Sequence, residues 1–275
     1  MYHNYLDKFV NSKKLISILK FILIIRLIME LLKIKPKIKK NKNYRMGLVA
    51  LSTDFTIEKD FNRVLPNNEI SFYVNRLPAF NPLSKKNFLR MNSKLTEITG
   101  NILPNQKFNS IAYGCTSGTI ASGKEVIKKR ILKAKPGARI SDPISAAINA
   151  FKKLKIKKLT IFTPYAQSVN QTVVDYLKKN KFEILSFHYL NLSSDVDIGQ
   201  VDTQFLLKYL SKIKLKDSDG LFISCTALPV LDILEKLEKR LKKPVLSSNQ
   251  VLIWESLRNT GYKKPIRGFG KLLRI

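Results

Sequence analysis

The chain has 275 residues, with 50 Lys plus Arg against 20 Asp plus Glu and only two His and two Cys. That length suffices for about two domains, and 44% apolar with 25% charged residues excludes wholesale disorder. Two cysteines exclude a disulfide-built secreted scaffold and suit a reducing cytoplasm. With His3 far from His188 they offer no ligand spacing for a zinc cluster, so no metal site is expected.

The net charge of +30 is unevenly placed. Residues 1–45 hold 12 Lys plus Arg against Asp7 and Glu30 and so carry +10. The rest is scattered in short runs such as Lys128, Lys129, Arg130 and Lys242, Lys243. Arg lags well behind Lys, whereas base-reading and bidentate phosphate sites favour Arg. With no aromatic–basic alternation and no helix-turn-helix pattern, no nucleic-acid partner is expected.

Within the extension, residues 15–32 read LISILKFILIIRLIMELL, about the length of a membrane span but interrupted by Lys20, Arg26 and Glu30. A charge at the centre of a span costs roughly 2.5–3.5 kcal/mol. No small-residue cleavage site comes after it, which argues against a signal peptide. Two readings stay open: a dispensable stretch ahead of a chain that starts near Met46, or a weak membrane-surface anchor.

From Met46 onward, short apolar runs alternate with helical periodicity. Strands are predicted at 47–51, 70–74, 110–113, 158–162, 183–187, 220–224 and 244–246. Helices are predicted at 85–99, 118–132, 144–154, 167–179 and 228–241, with a last one beginning near Asn249. This alternation predicts an α/β fold of parallel sheets flanked by helices, with the strand C-terminal ends along one functional edge. Asp142 before Pro143 reads as a helix N-cap.

Two landmarks recur at nearly the same offset. A strand, a small residue and Cys-Thr occur at Cys115 and again at Cys225, 110 residues on; Asp54 and Tyr165 end comparable strands 111 residues apart. Such an offset indicates two pseudo-symmetric lobes facing one cleft. The expected organisation is an extension at 1–45, a first lobe at 46–140 to which 250–275 returns, and a second lobe at 141–249.

A lone cysteine usually behaves as a small buried hydrophobe. Here both cysteines of the chain come after a strand and precede Thr and a helix. A helix N-terminus lowers a thiol's pKa, so thiolate character is expected at both. Two thiols on opposite faces of a substrate suit proton removal and delivery at a carbon beside a carboxylate. Thr116, Ser117 and Thr226 would serve as donors to the developing charge. Thiolate addition to an activated double bond is the alternative. Neither needs a cofactor, and no P-loop or dinucleotide fingerprint is present.

The segments YGCTSGT (113–119), FTPY (162–165), SCTALP (224–229) and SSNQ (247–250) resemble the aspartate/glutamate racemase superfamily, in the branch of maleate cis–trans isomerase and arylmalonate decarboxylase. LSTD (51–54) with TIEKDF (56–61) after it is similar to the racemase-like proteins of ectoine utilisation. The resemblance spans nearly all of 46–275. It implies two lobes with the active site between them, cofactor-independent catalysis by Cys115 and Cys225, Tyr165 as a donor to a substrate carboxylate, and a homodimer. Arylmalonate decarboxylases keep only the second cysteine, so having both favours racemase or isomerase chemistry. Maleate isomerases carry Asn where this chain has Asp54, and again near Asp195; an ionised Asp repels a carboxylate. The expected function is therefore a racemase or isomerase of a small, amino-acid-like carboxylate in the cytoplasm. Asp54 would meet a substrate ammonium or tune a thiol, and Asn249 either caps a helix or contacts the substrate. Maleate-type isomerisation, malonate decarboxylation, and a non-catalytic carboxylate-binding protein on the same scaffold are the alternatives.

Overall fold

The computed structural model describes residues 3–28, 34–39 and 43–275, in two units, Met1–Lys42 and Asn43–Ile275. The predicted extension therefore lies partly outside the described residues, Glu30 among them. Its described part holds helix α1 (His3–Ile28).

The second unit opens with β1 (Tyr44–Leu51), α2 (Ile57–Val64), β2 (Ile70–Leu77), α3 (Lys85–Asn92) and α4 (Leu95–Gly100). Then come β3 (Ser110–Tyr113), α5 (Thr116–Ser122), α6 (Lys124–Ala134), β4 (Arg139–Ser141) and α7 (Pro143–Lys153). The second half contains β5 (Lys158–Tyr165), α8 (Gln167–Lys179), β6 (Glu183–Leu192), α9 (Asp195–Gly199) and α10 (Thr203–Leu210). It ends with β7 (Gly220–Ile223), α11 (Leu234–Leu241), β8 (Val245–Ser247) and α12 (Ser248–Thr260).

Among the described residues all strand pairs are parallel and form two four-stranded sheets, ordered β2-β1-β3-β4 and β6-β5-β7-β8. The second order repeats the first four strands later, which is the duplication the cysteine spacing indicated. The inner strands β1, β3, β5 and β7 are buried almost throughout, because helices cover both faces. Their apolar runs made them legible. The edge strand β6 alternates exposed and half-buried residues and runs to Leu192, well past the predicted end at 187. Polar alternation on an edge strand conceals its length.

Helix boundaries obey capping chemistry. Asp142 accepts from Ser145 N (2.9 Å) ahead of Pro143, Ser84 from Asn87 N (3.3 Å) and Ser247 from Gln250 N (3.2 Å). The predicted helix at 118–132 is split by Gly123, whose φ of +83° no ordinary helical residue adopts. The predicted helix at 85–99 breaks at Ser93 and Lys94, and the one at 228–241 starts with a 3-10 turn over Leu231–Ile233. β4 at three residues, α2, α9 and α10 were not predicted. Helix α12 lies against α7, β4, β3 and β1 and is buried along most of its length. The tail returns to it: Gln250 Nε2 donates to Phe269 O (2.6 Å) and Trp254 Nε1 to Ile275 O (3.3 Å).

Candidate active site

β3 belongs to the first sheet and β7 to the second, and each leads through Gly or Ser into Cys and Thr. Cys115 and Cys225 are free thiols, 5% and 3% exposed. Together with Leu51, Leu83, Phe88, Thr116, Ser117, Tyr165, Asp195 and Thr226 they line a single narrow cavity of about 10 Å³. The structure thus brings together six of the eight residues singled out from the sequence: both cysteines, Thr116, Ser117, Tyr165 and Thr226. Leu83, Phe88 and Ser117 also line a neighbouring cavity of about 390 Å³.

Asp54 and Asn249 are not brought to the cavity wall. Asp54, 1% exposed, accepts from Thr56 N (2.8 Å) and Ile57 N (2.9 Å) through Oδ1 and so starts α2. Its Oδ2 is buried without a hydrogen bond of ordinary geometry. Asn249 Nδ2 donates to Thr226 O and Asp60 Oδ2, both at 2.8 Å. That amide holds the loop after β7 against α2. Similar bonds tie the two halves around the cavity. Thr56 Oγ1 donates to Ala227 O (2.7 Å), Thr226 Oγ1 to Gly114 O (3.3 Å), and the hydroxyls of Thr116 and Ser248 lie 3.1 Å apart. Asn170, on α8, donates to Tyr165 O (2.8 Å) and so fixes the backbone of that tyrosine.

Cys115 caps α5, its sulfur accepting from Gly118 N at 3.2 Å. Tyr113 OH, beside that sulfur, donates to Asn92 Oδ1 (2.6 Å). Gly118 leaves no room for a side chain. A Cβ there would stand 2.9 Å from Cys115 Sγ and 3.1 Å from Met91 Cε, and would collide with the Tyr113 hydroxyl. Gly118→Ala is expected to destabilise the fold by about 1–3 kcal/mol through overpacking and to push the thiol out of place. Thermal unfolding would show a lowered Tm, and an unchanged Tm would mean that the loop yields freely.

The electrostatics overturn one expectation. Helix ends favour thiolate, but burial pushes Cys115 up to about 12, and the nearby Asp195 carboxylate adds to it. The Gly118 N–H pulls the other way without prevailing. Cys225 is likewise raised far above an ordinary thiol, first by burial and then by Asp195. Asp195 is itself pushed up to about 6, chiefly by burial and then by the charge of Asp54, although Thr53 Oγ1 donates to its Oδ2 at 2.9 Å. Asp54 is raised by burial as well. No Lys, Arg or His lines the cavity among the described residues. Arg76, at the first strand-end loop, is engaged by Glu58 Oε2 (2.5 Å) and by the carbonyls of Leu51 and Asp54. The resting cavity therefore holds two neutral thiols and carries negative rather than positive charge. Its hydroxyls are those of Thr116, Ser117, Tyr165 and Thr226, of which Thr226 already donates to Gly114 O, and Ser117 Oγ makes no hydrogen bond of ordinary geometry.

Several contributors escape a reading of the sequence. Asp195 stands out there only as a departure from a related pattern, because β6 reads as too short to bring its following loop to the functional edge. Thr53, Leu83 and Phe88 carry no chemical signature. The rule that loops after parallel strands gather on one edge would find Asp195 once the end of β6 is placed correctly.

Comparison with known proteins returns the same architecture. The arylmalonate decarboxylase family, Amdase, matches residues 119–273, a stretch that includes Cys225 but begins after Cys115. A maleate isomerase of Alcaligenes faecalis is 22% identical over 247 residues, covering 84% of this chain and 97% of that protein. Among solved structures, the maleate isomerase Iso of Pseudomonas putida S16 superposes with a TM-score of 0.78 at 21% identity, over 85% of this chain and 99% of that one. A cysteine-to-serine mutant of Nocardia farcinica maleate cis–trans isomerase, which carries a covalently bound succinylcysteine intermediate, superposes with a TM-score of 0.77 at 21% identity, over 84% and 98%.

Proposed function

Because the chain belongs to the arylmalonate decarboxylase family, we propose that it is a cofactor-independent isomerase of a small carboxylate, worked by Cys115 and Cys225. The observation that carries this reading is that both thiols, one from each sheet, line the same cavity. One thiolate removes the proton from the carbon beside the substrate carboxylate, and the C–H electron pair passes into that carboxylate as an enolate. The other thiol gives its proton to the opposite face, leaving itself as thiolate and the product inverted. Thr116, Ser117 and Tyr165 donate to the enolate oxygens as their charge grows, and Thr226 joins them once its hydroxyl leaves Gly114 O.

The acidic wall supports an amino-acid-like substrate. An ammonium beside Asp195 cancels the charge that helps hold both thiols neutral. That lowers the cost of forming a thiolate, while burial, the larger influence, still favours the thiol. A dianion such as maleate brings two charges to a pocket whose own wall holds no cation, Lys85 lining only the neighbouring cavity, and is disfavoured.

A second reading has its own support in the near-full-length match to maleate isomerases. A thiolate adds to one alkene carbon, the former double bond rotates as a single bond, and the thiolate leaves to restore the trans alkene.

Proton NMR in D2O separates the two. Incubation with L- and D-aspartate, L- and D-glutamate and maleate is expected to replace a Cα–H with deuterium and to racemise an amino acid. Fumarate formation from maleate without exchange would select the second reading. Silence across all five would count against both.

A further inference from the structure

We propose that the N-terminal unit is a docking device for a lipid bilayer with anionic headgroups, a role independent of the cavity chemistry. Helix α1 spans His3–Ile28 without an amphipathic division. Leu15, Ile16, Ile18, Leu19, Phe21 and Ile22 are each at least half exposed. Apolar residues on every side of a helix call for an apolar surrounding on every side. These six side chains are left largely open.

The occupant is identified by the chemistry of the next ten residues. Positions 33–42 read KIKPKIKKNK, six lysines in ten residues with no acid. The described part of this stretch, residues 34–39, is extended and exposed, with Ile34 and Ile38 at 82% and 85%. Pro36 bars helix continuation and keeps the stretch open. An apolar anchor joined to a polybasic run is the two-signal arrangement that holds a protein on an anionic membrane, because either signal alone gives marginal, reversible binding. Each lysine near such a surface contributes roughly a fivefold gain. Lys20 and Arg26 within the apolar run oppose a full crossing, so the helix enters one leaflet, with both cations reaching back to the headgroups. Consistently, no described helix is long and apolar enough to cross a membrane. A second copy of the helix would satisfy the apolar side chains but would bring two +10 segments together, which charge opposes.

The test is co-sedimentation of the full chain with vesicles of phosphatidylcholine alone or mixed with phosphatidylserine, at low and high salt. Binding is expected only to the mixed vesicles and is expected to weaken with salt. The combined Lys35→Glu, Lys37→Glu and Lys39→Glu variant should lose at least about tenfold in partitioning. Leu19→Glu with Phe21→Glu should lose a comparable factor through the apolar signal alone. Equal binding to neutral vesicles, or partitioning untouched by both variants, would overturn the proposal. So would a parent that ignores vesicles and instead self-associates with rising concentration.

Discussion

Cys115→Ser and Cys225→Ser are each expected to lower racemisation by about 100- to 10,000-fold while leaving the fold intact, the range that a positioned acid or base contributes. The fold should survive because the replacement keeps what each residue does structurally. Serine at position 115 still accepts the Gly118 N–H that the sulfur accepts now, and serine is a strong N-cap. A Tm close to the parent's, beside a collapsed kcat, would locate the loss in the chemistry. The two variants should also differ from each other. If each thiol serves one face, a variant lacking one of them can still exchange the Cα proton of a single enantiomer without inverting it. Deuterium incorporation measured from each enantiomer separately therefore assigns the thiols to faces. Parent-like turnover by either variant would sink two-thiol catalysis. Strong loss in one variant with mild loss in the other would favour addition and rotation, which needs a single nucleophile.

The thiols were the most legible part of the molecule, and the reason is topological. Buried inner strands are written as apolar runs, so β1, β3, β5 and β7 could be read directly. The loop after each such strand lies on the functional edge. The repeat of Cys-Thr then paired Cys115 with Cys225 across two equivalent sheets. The features that the sequence concealed were set by burial and by long-range partners. The helix-end argument for thiolate considers one local dipole, whereas desolvation and Asp195, 80 residues from one thiol and 30 from the other, set the direction. Asn249 has the residue type of a substrate donor, yet its amide is taken up by Asp60, 189 positions away in the chain. Asp54 likewise has the residue type of an ammonium ligand, but one of its oxygens starts α2.

Asp195→Asn should produce the other large effect and should move two observables in opposite directions. Asp195 lines the cavity with no cation beside it in the wall, and its charge ranks second only to burial in raising both thiols. If it receives a substrate ammonium, its loss removes a buried charge pair, and kcat/KM for the amino acid should fall at least about 30-fold. The same change takes one negative charge from the wall, so turnover of maleate should rise. The amide can still accept from Thr53 Oγ1, so the local bond is kept. The pH dependence supplies an independent check. A carboxylate pushed up to about 6 must be ionised to hold an ammonium, so parent activity on an amino acid should climb as pH rises through that value. The Asn variant should lack this acidic limb. Its thiols, relieved of a neighbouring negative charge, should also ionise at lower pH, which thiolate ultraviolet absorbance would record. An unchanged thiol titration together with an unchanged amino-acid kcat/KM would remove Asp195 from both substrate recognition and thiol control. The acidic cavity wall would then no longer argue against a dianionic substrate.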